Sequence, residues 1–206
     1  MPRYANDIEV IQAALHRVGE ASISSLTDGS AASLVAAANY EGIVGDLLER
    51  HAWSWATKTE TLTLIGESDN NAWGYEYALP DDMINLRFLT RDGIQIGEGQ
   101  WALQGDRILV LAEGDYQATY THRASVSLWS FNFGEAVVTR LQAVFLEGLL
   151  DRWQDARLKE KDADAKFMRA MVRDRRQSPA TRAYRATLAQ RWTNWRGPDY
   201  RRATGG

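Results

Sequence analysis

Apolar side chains recur along this chain in two rhythms, and the change from one to the other divides it into parts. Asp7 can cap a first helix, in which Ile8, Ile11, Leu15 and Val18 fall at i, i+3, i+7 and i+10 and form one stripe that Gly19 ends. The polar cluster from Glu20 to Gly29 reads as a loop. A second helix is predicted from about Ser30 to His51, with Ala36, Tyr40, Ile43, Leu47 and His51 on one face and Val44 and Leu48 beside it. Its alanines and glycines, among them Ala31, Ala32, Gly42 and Gly45, leave a thin surface that another helix can approach. Each glycine costs about 1 kcal/mol of helix stability against alanine.

From about residue 58 to 121 the period falls to two, most clearly at Trp73, Tyr75, Tyr77 and Leu79, and strands are predicted. Turn signals at 68–71, 80–82, 91–93, 104–106 and 113–115 separate candidates 59–66, 73–79, 83–90, 94–97, 100–103, 107–112 and 115–121. Short strands joined by tight turns imply antiparallel pairing.

The helical period returns near Phe133, where Val137, Val138, Leu141, Val144, Phe145, Leu149 and Leu150 are dense enough to make this the most buried helix. The charged stretch Arg157 to Asp162 can turn the chain, with Asp162 capping a fourth helix through Phe167, Met168, Met171 and Val172 to about Arg176. One long helix across this stretch is the competing reading. Pro179 stops helical geometry at Ser178, and a short helix can follow over about 180–192. The order implies an α+β chain: an antiparallel helical bundle from residues 1–57 and 122–177, an inserted antiparallel β region over 58–121, and an extended basic C-terminal arm over 178–206.

With 206 residues, 45% of them apolar, the chain can bury a sizeable core. It has no cysteine, which removes disulfides, thiolate metal ligands and a thiol nucleophile, and suits assembly in a reducing cytoplasm. The stretch Met1 to Asp7 has no apolar signal core and no apolar run approaches a membrane span, so a soluble protein without membrane partners is expected. No period of repeat length recurs.

Charge changes the picture more than composition does. Residues 169–206 hold ten arginines, two acids (Asp174 and Asp199) and no lysine, whereas residues 1–168 hold 14 basic against 25 acidic side chains. Such asymmetry points to a partner. Arg182, Arg185, Arg191, Arg196, Arg201 and Arg202 are interleaved with Tyr184, Trp192, Trp195 and Tyr200, and guanidinium forks with aromatic rings suit docking on another macromolecule. The alternative is a solvated terminus, for which four large aromatics are too many.

Chemistry is sparse by comparison. His16, His51 and His122 stand far apart with no metal-ligand spacing, and neither a nucleophile elbow, a zinc-protease helix nor a phosphate loop occurs. Gly93 to Gly99 lies between short strands, so its glycines mark turns or a bulge. Asp81-Asp82 is the one adjacent acid pair that could be nominated for glycoside hydrolysis, and after Pro80 it reads as turn chemistry. Trp53-Ser54-Trp55 places two indoles on one side of an extended backbone, where packing between the helical and β parts is the default over ligand stacking. No cofactor is implied.

Several segments in order carry a family likeness: Ile11 to Glu20, Ile23 to Leu26, Leu47 to Ala56 with its Trp53-Ser54-Trp55-Ala56 close, Tyr77-Ala78-Leu79-Pro80-Asp81-Asp82, and Phe131 to Ala136. Over residues 8 to about 176 the chain resembles the head-tail adaptors of short-tailed bacteriophages, the tail tubular protein A and head-completion adaptor family. It departs from them at Arg157 to Asp162, where relatives carry a clearer turn. The resemblance implies a non-enzymatic virion protein at the head-tail interface. Twelve identical subunits would form a ring below the portal protein, meet tail or nozzle proteins on the far side, and continue a channel through which genomic DNA passes without sequence-specific binding. It also implies that the C-terminal arm reaches the portal. Two other readings compete: a nucleic-acid-binding protein using the arginine and aromatic residues, and a tail-associated cell-wall hydrolase relying on Asp81 or Asp82.

Overall fold

The computed structural model describes residues 4–70, 72–97 and 99–177. Among them the elements run α1 (Asp7–Val18), α2 (Ala31–Glu49), β1 (Thr57–Thr61), β2 (Leu64–Glu67), β3 (Tyr75–Ala78), β4 (Met83–Arg91), β5 (Ile94–Gln95), β6 (Trp101–Gln104), β7 (Arg107–Val110), β8 (Tyr116–His122), α3 (Phe131–Gly148) and α4 (Trp153–Gln177). The class is α+β, as the two periods predict.

Local chemistry sets the helix ends. Asn6 rather than Asp7 caps α1: its extended backbone lets Oδ1 accept the Glu9 N–H at 2.9 Å, and Asp7 becomes the first helical residue. Asp7 is thereby free to accept the Tyr40 hydroxyl at 2.6 Å and to pair with Arg123 at 2.9 Å. Gly19 closes the helix at φ 88°, a left-handed conformation that a side chain would strain. Ser30 and Ser130 cap α2 and α3 through their hydroxyls.

Helix α3 is the most buried, and α1, α2 and α4 all pack against it. Ile11 and Leu15, Tyr40 and Leu48, Phe133 and Phe145, and Phe167 meet in one apolar core. The turn expected at Arg157 to Asp162 is not there. The chain reverses at residues 149–152, where Asp151 takes φ 52°, a conformation aspartate tolerates, and α4 then runs unbroken through the charged stretch. Ala156 and Ala163 give that stretch a buried face, while its charges lie outside and pair, Lys159 with Asp162 at 3.6 Å and Glu160 with Arg140 of α3 at 3.9 Å. Further along, Phe167 and Ala170 turn inward, whereas Met168 and Val172, expected on the apolar stripe, are exposed.

The strands form two antiparallel four-stranded sheets ordered β1-β8-β4-β5 and β2-β3-β7-β6. The single strand expected over 59–66 is two strands in different sheets. Leu62 makes the crossing: it is buried in the core that both sheets share, and its N–H donates to the Tyr116 carbonyl at 2.8 Å. Candidates 73–79, 94–97 and 107–112 shorten to β3, β5 and β7. Asp92 and Gly93, both at positive φ, turn β4 into β5 as a two-residue hairpin loop requires.

The β region joins the helices at the end of α2, whose last carbonyls lack intrahelical partners. Arg87 of β4 supplies them. Its Nη2 donates to the carbonyls of His51 at 2.8 Å, Glu49 at 3.2 Å and Leu48 at 3.4 Å, while Nε holds the Thr121 hydroxyl at 2.8 Å. A cation is also the charge that a helix C-terminus favours. Arg87→Ala is therefore expected to lower unfolding stability by about 2–3 kcal/mol, as loss of charged hydrogen bonds to half-buried acceptors does. Arg87→Lys should recover only part of this, because one ammonium cannot span the fork. Urea unfolding measures both, and an alanine variant within about 0.5 kcal/mol of the parent would contradict the capping role.

Candidate partner-binding site at the end of the last helix

The residues singled out in sequence for partner binding, Arg182, Tyr184, Arg185, Arg191, Trp192, Trp195, Arg196, Tyr200, Arg201 and Arg202, lie outside the described residues, as do Ser178-Pro179 and the short helix expected over about 180–192. Described in full is the stem that leads to them, the last turns of α4.

That stem is fixed from within. Phe167, Ala170 and Asp174 fall on the inward face of α4 and are buried, so a carboxylate occupies a position that the helical stripe would give to an apolar side chain. His51 Nε2 lies 3.1 Å from Asp174 Oδ2. Ser54 donates its hydroxyl to Asp174 Oδ1 at 2.7 Å and its backbone N–H to both oxygens at 3.3 Å. Burial by itself would push the Asp174 carboxyl up, but the hydrogen bonds from His51 and Ser54 outweigh it and hold the group below the usual aspartate range.

Histidine, aspartate and serine together invite comparison with a hydrolase triad, and the connectivity is wrong for one. The serine donates to the acid rather than to the histidine, so its oxygen has no general base. The cluster is a clamp. It closes over Trp53, which is fully buried, donates its indole N–H to the Leu47 carbonyl at 3.0 Å, and meets the rings of His51, Trp55, Phe133 and Phe167 at 4.7–5.7 Å. Residues Ser54–Ala56 form a 3-10 turn rather than the extended segment expected, yet both indoles enter this aromatic cluster. Trp53 has no free ring face to offer a ligand.

Outside, the same turns are cationic and partly apolar. Met168 and Val172 are 56% and 48% exposed and lie in a shallow groove lined by Arg169, Arg173 and Arg176. Upstream, several charges on α4 are paired, Asp155 with Arg152, Lys166 with Glu135, and Asp164 with Arg50 and Arg140. Among the described residues no ion pair reaches Arg169, Arg173, Arg175 or Arg176. The helix dipole favours cations in this last turn, but it does not account for apolar side chains set among them.

The other candidates from sequence are dispersed. His16 is exposed and bonds Ser22, while His122 meets the Ala56 carbonyl at 3.0 Å. Among the described residues no cluster of three potential metal ligands forms, and no helix is long and apolar enough to cross a membrane. Asp81 is exposed in a turn. Burial would raise the Asp82 carboxyl, yet hydrogen bonds from Tyr120 at 2.7 Å and Lys58 at 3.2 Å hold it below its ordinary value, which is the wrong direction for a general acid.

Sequence reasoning missed Asp174 and Arg87. The signal for Asp174 was present as its i, i+4 and i+7 spacing from Phe167 and Ala170, obscured because charge counting assigned it to the arginine-rich tail. No protein-family model matches the chain, and no curated protein matches it.

Asp174→Ala leaves the Ser54 and His51 donors without an acceptor and is expected to destabilise the fold by about 3 kcal/mol. A carboxyl with a lowered folded pKa contributes stability that is complete above the unfolded value of about 3.9 and is lost as pH falls below it toward the folded value. Asp174→Asn should therefore show a shallower loss of stability on acidification below about pH 4 than the parent. Thermal unfolding across that range checks this, and parallel acid limbs would contradict the clamp.

Proposed function

We propose that this chain is a structural virion protein, a head-tail adaptor that joins the portal to the tail or nozzle and continues the DNA channel. In this reading the helices act as an antiparallel bundle that forms the body of a ring, about twelve subunits as in the adaptors it resembles. The β region projects toward the tail. The arginine-rich arm over 178–206 reaches the portal, with Trp192, Trp195 and Tyr200 as pocket anchors and Arg182, Arg185, Arg191 and Arg196 paired to acids.

One observation carries the reading. A strongly cationic, aromatic terminal segment follows a stem that Asp174 ties to the core of an otherwise acidic chain. A fixed stem sets where the segment departs, and two surfaces of unlike charge are what a closed ring of heterologous contacts needs. Ordering an arm costs about 1–2 kcal/mol of backbone entropy per residue, so its anchors must be large, and tryptophan with arginine is the composition that serves.

Arginines interleaved with aromatics also favour a second reading, contact with nucleic acid. The excess of 25 acidic over 14 basic side chains in residues 1–168 opposes it.

Deletion of residues 178–206 is expected to leave a folded body, with unfolding stability close to the parent, that no longer binds the portal protein of the same virus in co-sedimentation. Retained portal binding would overturn the assignment. The same preparation titrated with duplex DNA at low salt separates the second reading, which requires binding that weakens with a log-log salt slope of about −0.9 per neutralised phosphate.

A further inference from the structure

The cationic groove at the end of α4 has a counterpart on the same molecule, at the far end of the β region. Charge within the acidic part is itself unevenly placed: residues 58–121 hold 11 acids against four basic side chains, and residues 1–57 and 122–168 hold 14 against ten. The β region joins the helices through Thr57 and His122, and its distal end is where β4, β5, β7 and β8 turn. There Ile94 and Leu111 are 68% and 56% exposed, among the exposed acids Asp92, Glu113 and Asp115. The loops are held together rather than loose. Asp92 N–H donates to the Asp115 carbonyl at 3.0 Å, and Arg91 Nη2 donates to the Glu113 carbonyl at 2.7 Å. Among the described residues Arg91 is the cation at this tip, and it is turned inward over Tyr116 and toward Asp92.

Two exposed apolar side chains and three exposed acids thus occur at one end of the β region, and two exposed apolar side chains among three guanidiniums along α4. We infer that the α4 groove of Met168, Val172, Arg169, Arg173 and Arg176 docks the acidic, apolar β tip of a second copy of this chain. The occupant must be acidic, which excludes the chain's own arginine-rich segment over 178–206. It must also be partly apolar, as the tip is through Ile94 and Leu111. The contact is heterologous, groove to tip, so a docked pair keeps one free groove and one free tip, and repetition closes a ring or extends a filament. This inference rests on the ring reading proposed above for the geometry of closure, though the pairwise contact stands without it.

Because the chain of 206 residues has no cysteine, introduced cysteines report the contact directly. Met168→Cys, Leu111→Cys and the double variant are treated with a short bismaleimide, and Val172→Cys with Ile94→Cys serves as a second pair. The double variants are expected to give a ladder of dimers and higher species, mixed singles should give dimers only, and each single should stay uncross-linked. Arg173→Glu in the double background should reduce the ladder at least tenfold, and adding Glu113→Arg should restore it in part. Dimers from Met168→Cys alone, absence of a ladder from both pairs, or transfer of the cross-links to portal or tail protein would each overturn the inference. Portal-bound rings without a ladder would reject this contact while leaving the adaptor reading intact. A ladder without portal binding would do the reverse.

Discussion

The carbonyls at the end of α2 must find donors where the chain leaves the helices for the strands, and the rest of the structure is arranged around that need. Arg87 reaches them from β4. His51 takes part on both sides, its carbonyl accepting from Arg87 and its ring meeting Asp174 of α4. One short polar path therefore links the β region, the end of α2 and the stem of the arginine-rich segment, with Trp53 sealed beneath it. Buried polar networks of this kind are costly when incomplete and rigid when satisfied. This polar link connects the main apolar core of the helices with that of the β region.

In the adaptor reading proposed above, rigidity at this point matters because the protein would work by being held between neighbours. A loosely attached cationic segment would bind many acidic surfaces in many directions, whereas one that leaves a clamped helix starts from a defined place. The clamp also separates inside from outside on α4. Asp174, Phe167 and Ala170 face the core, and Met168, Val172 and arginines that form no ion pair among the described residues face away. With the acidic tip at the far end of the β region, the molecule presents unlike faces, the arrangement that allows identical copies to associate in one direction without self-complementary pairing.

Much of this was legible in the residues, because period and punctuation are local properties. The switch from a period of 3.6 to 2 near residue 58 and back near 131 matches the elements, and Gly19 ends α1 as read. The misses are places where tertiary context decides. Asn6 and Asp7 are both good caps, and only the position of Tyr40 and Arg123 explains why the aspartate is spared for them. The alternation through 59–66 is continuous in sequence, and nothing in it announces that Leu62 passes between sheets. Arg157 to Asp162 reads as a turn because all of it but Leu158 is charged, yet Ala156 and Ala163 suffice to seat it against the core. His51 and Asp174 each sat on an apolar stripe as an apparent defect. Two defects on facing helical ends are a pair, but pairing across 123 residues is visible only once the fold is known.

Mass photometry of the purified chain, alone and mixed with the portal protein that the adaptor reading requires, tests the central claim most directly. An adaptor held between neighbours predicts monomers alone at the high dilution of this measurement, where a weak contact between free copies comes apart, and in the mixture a portal peak heavier by about twelve copies of a 23.2 kDa chain. A portal peak of unchanged mass beside free monomers would contradict it.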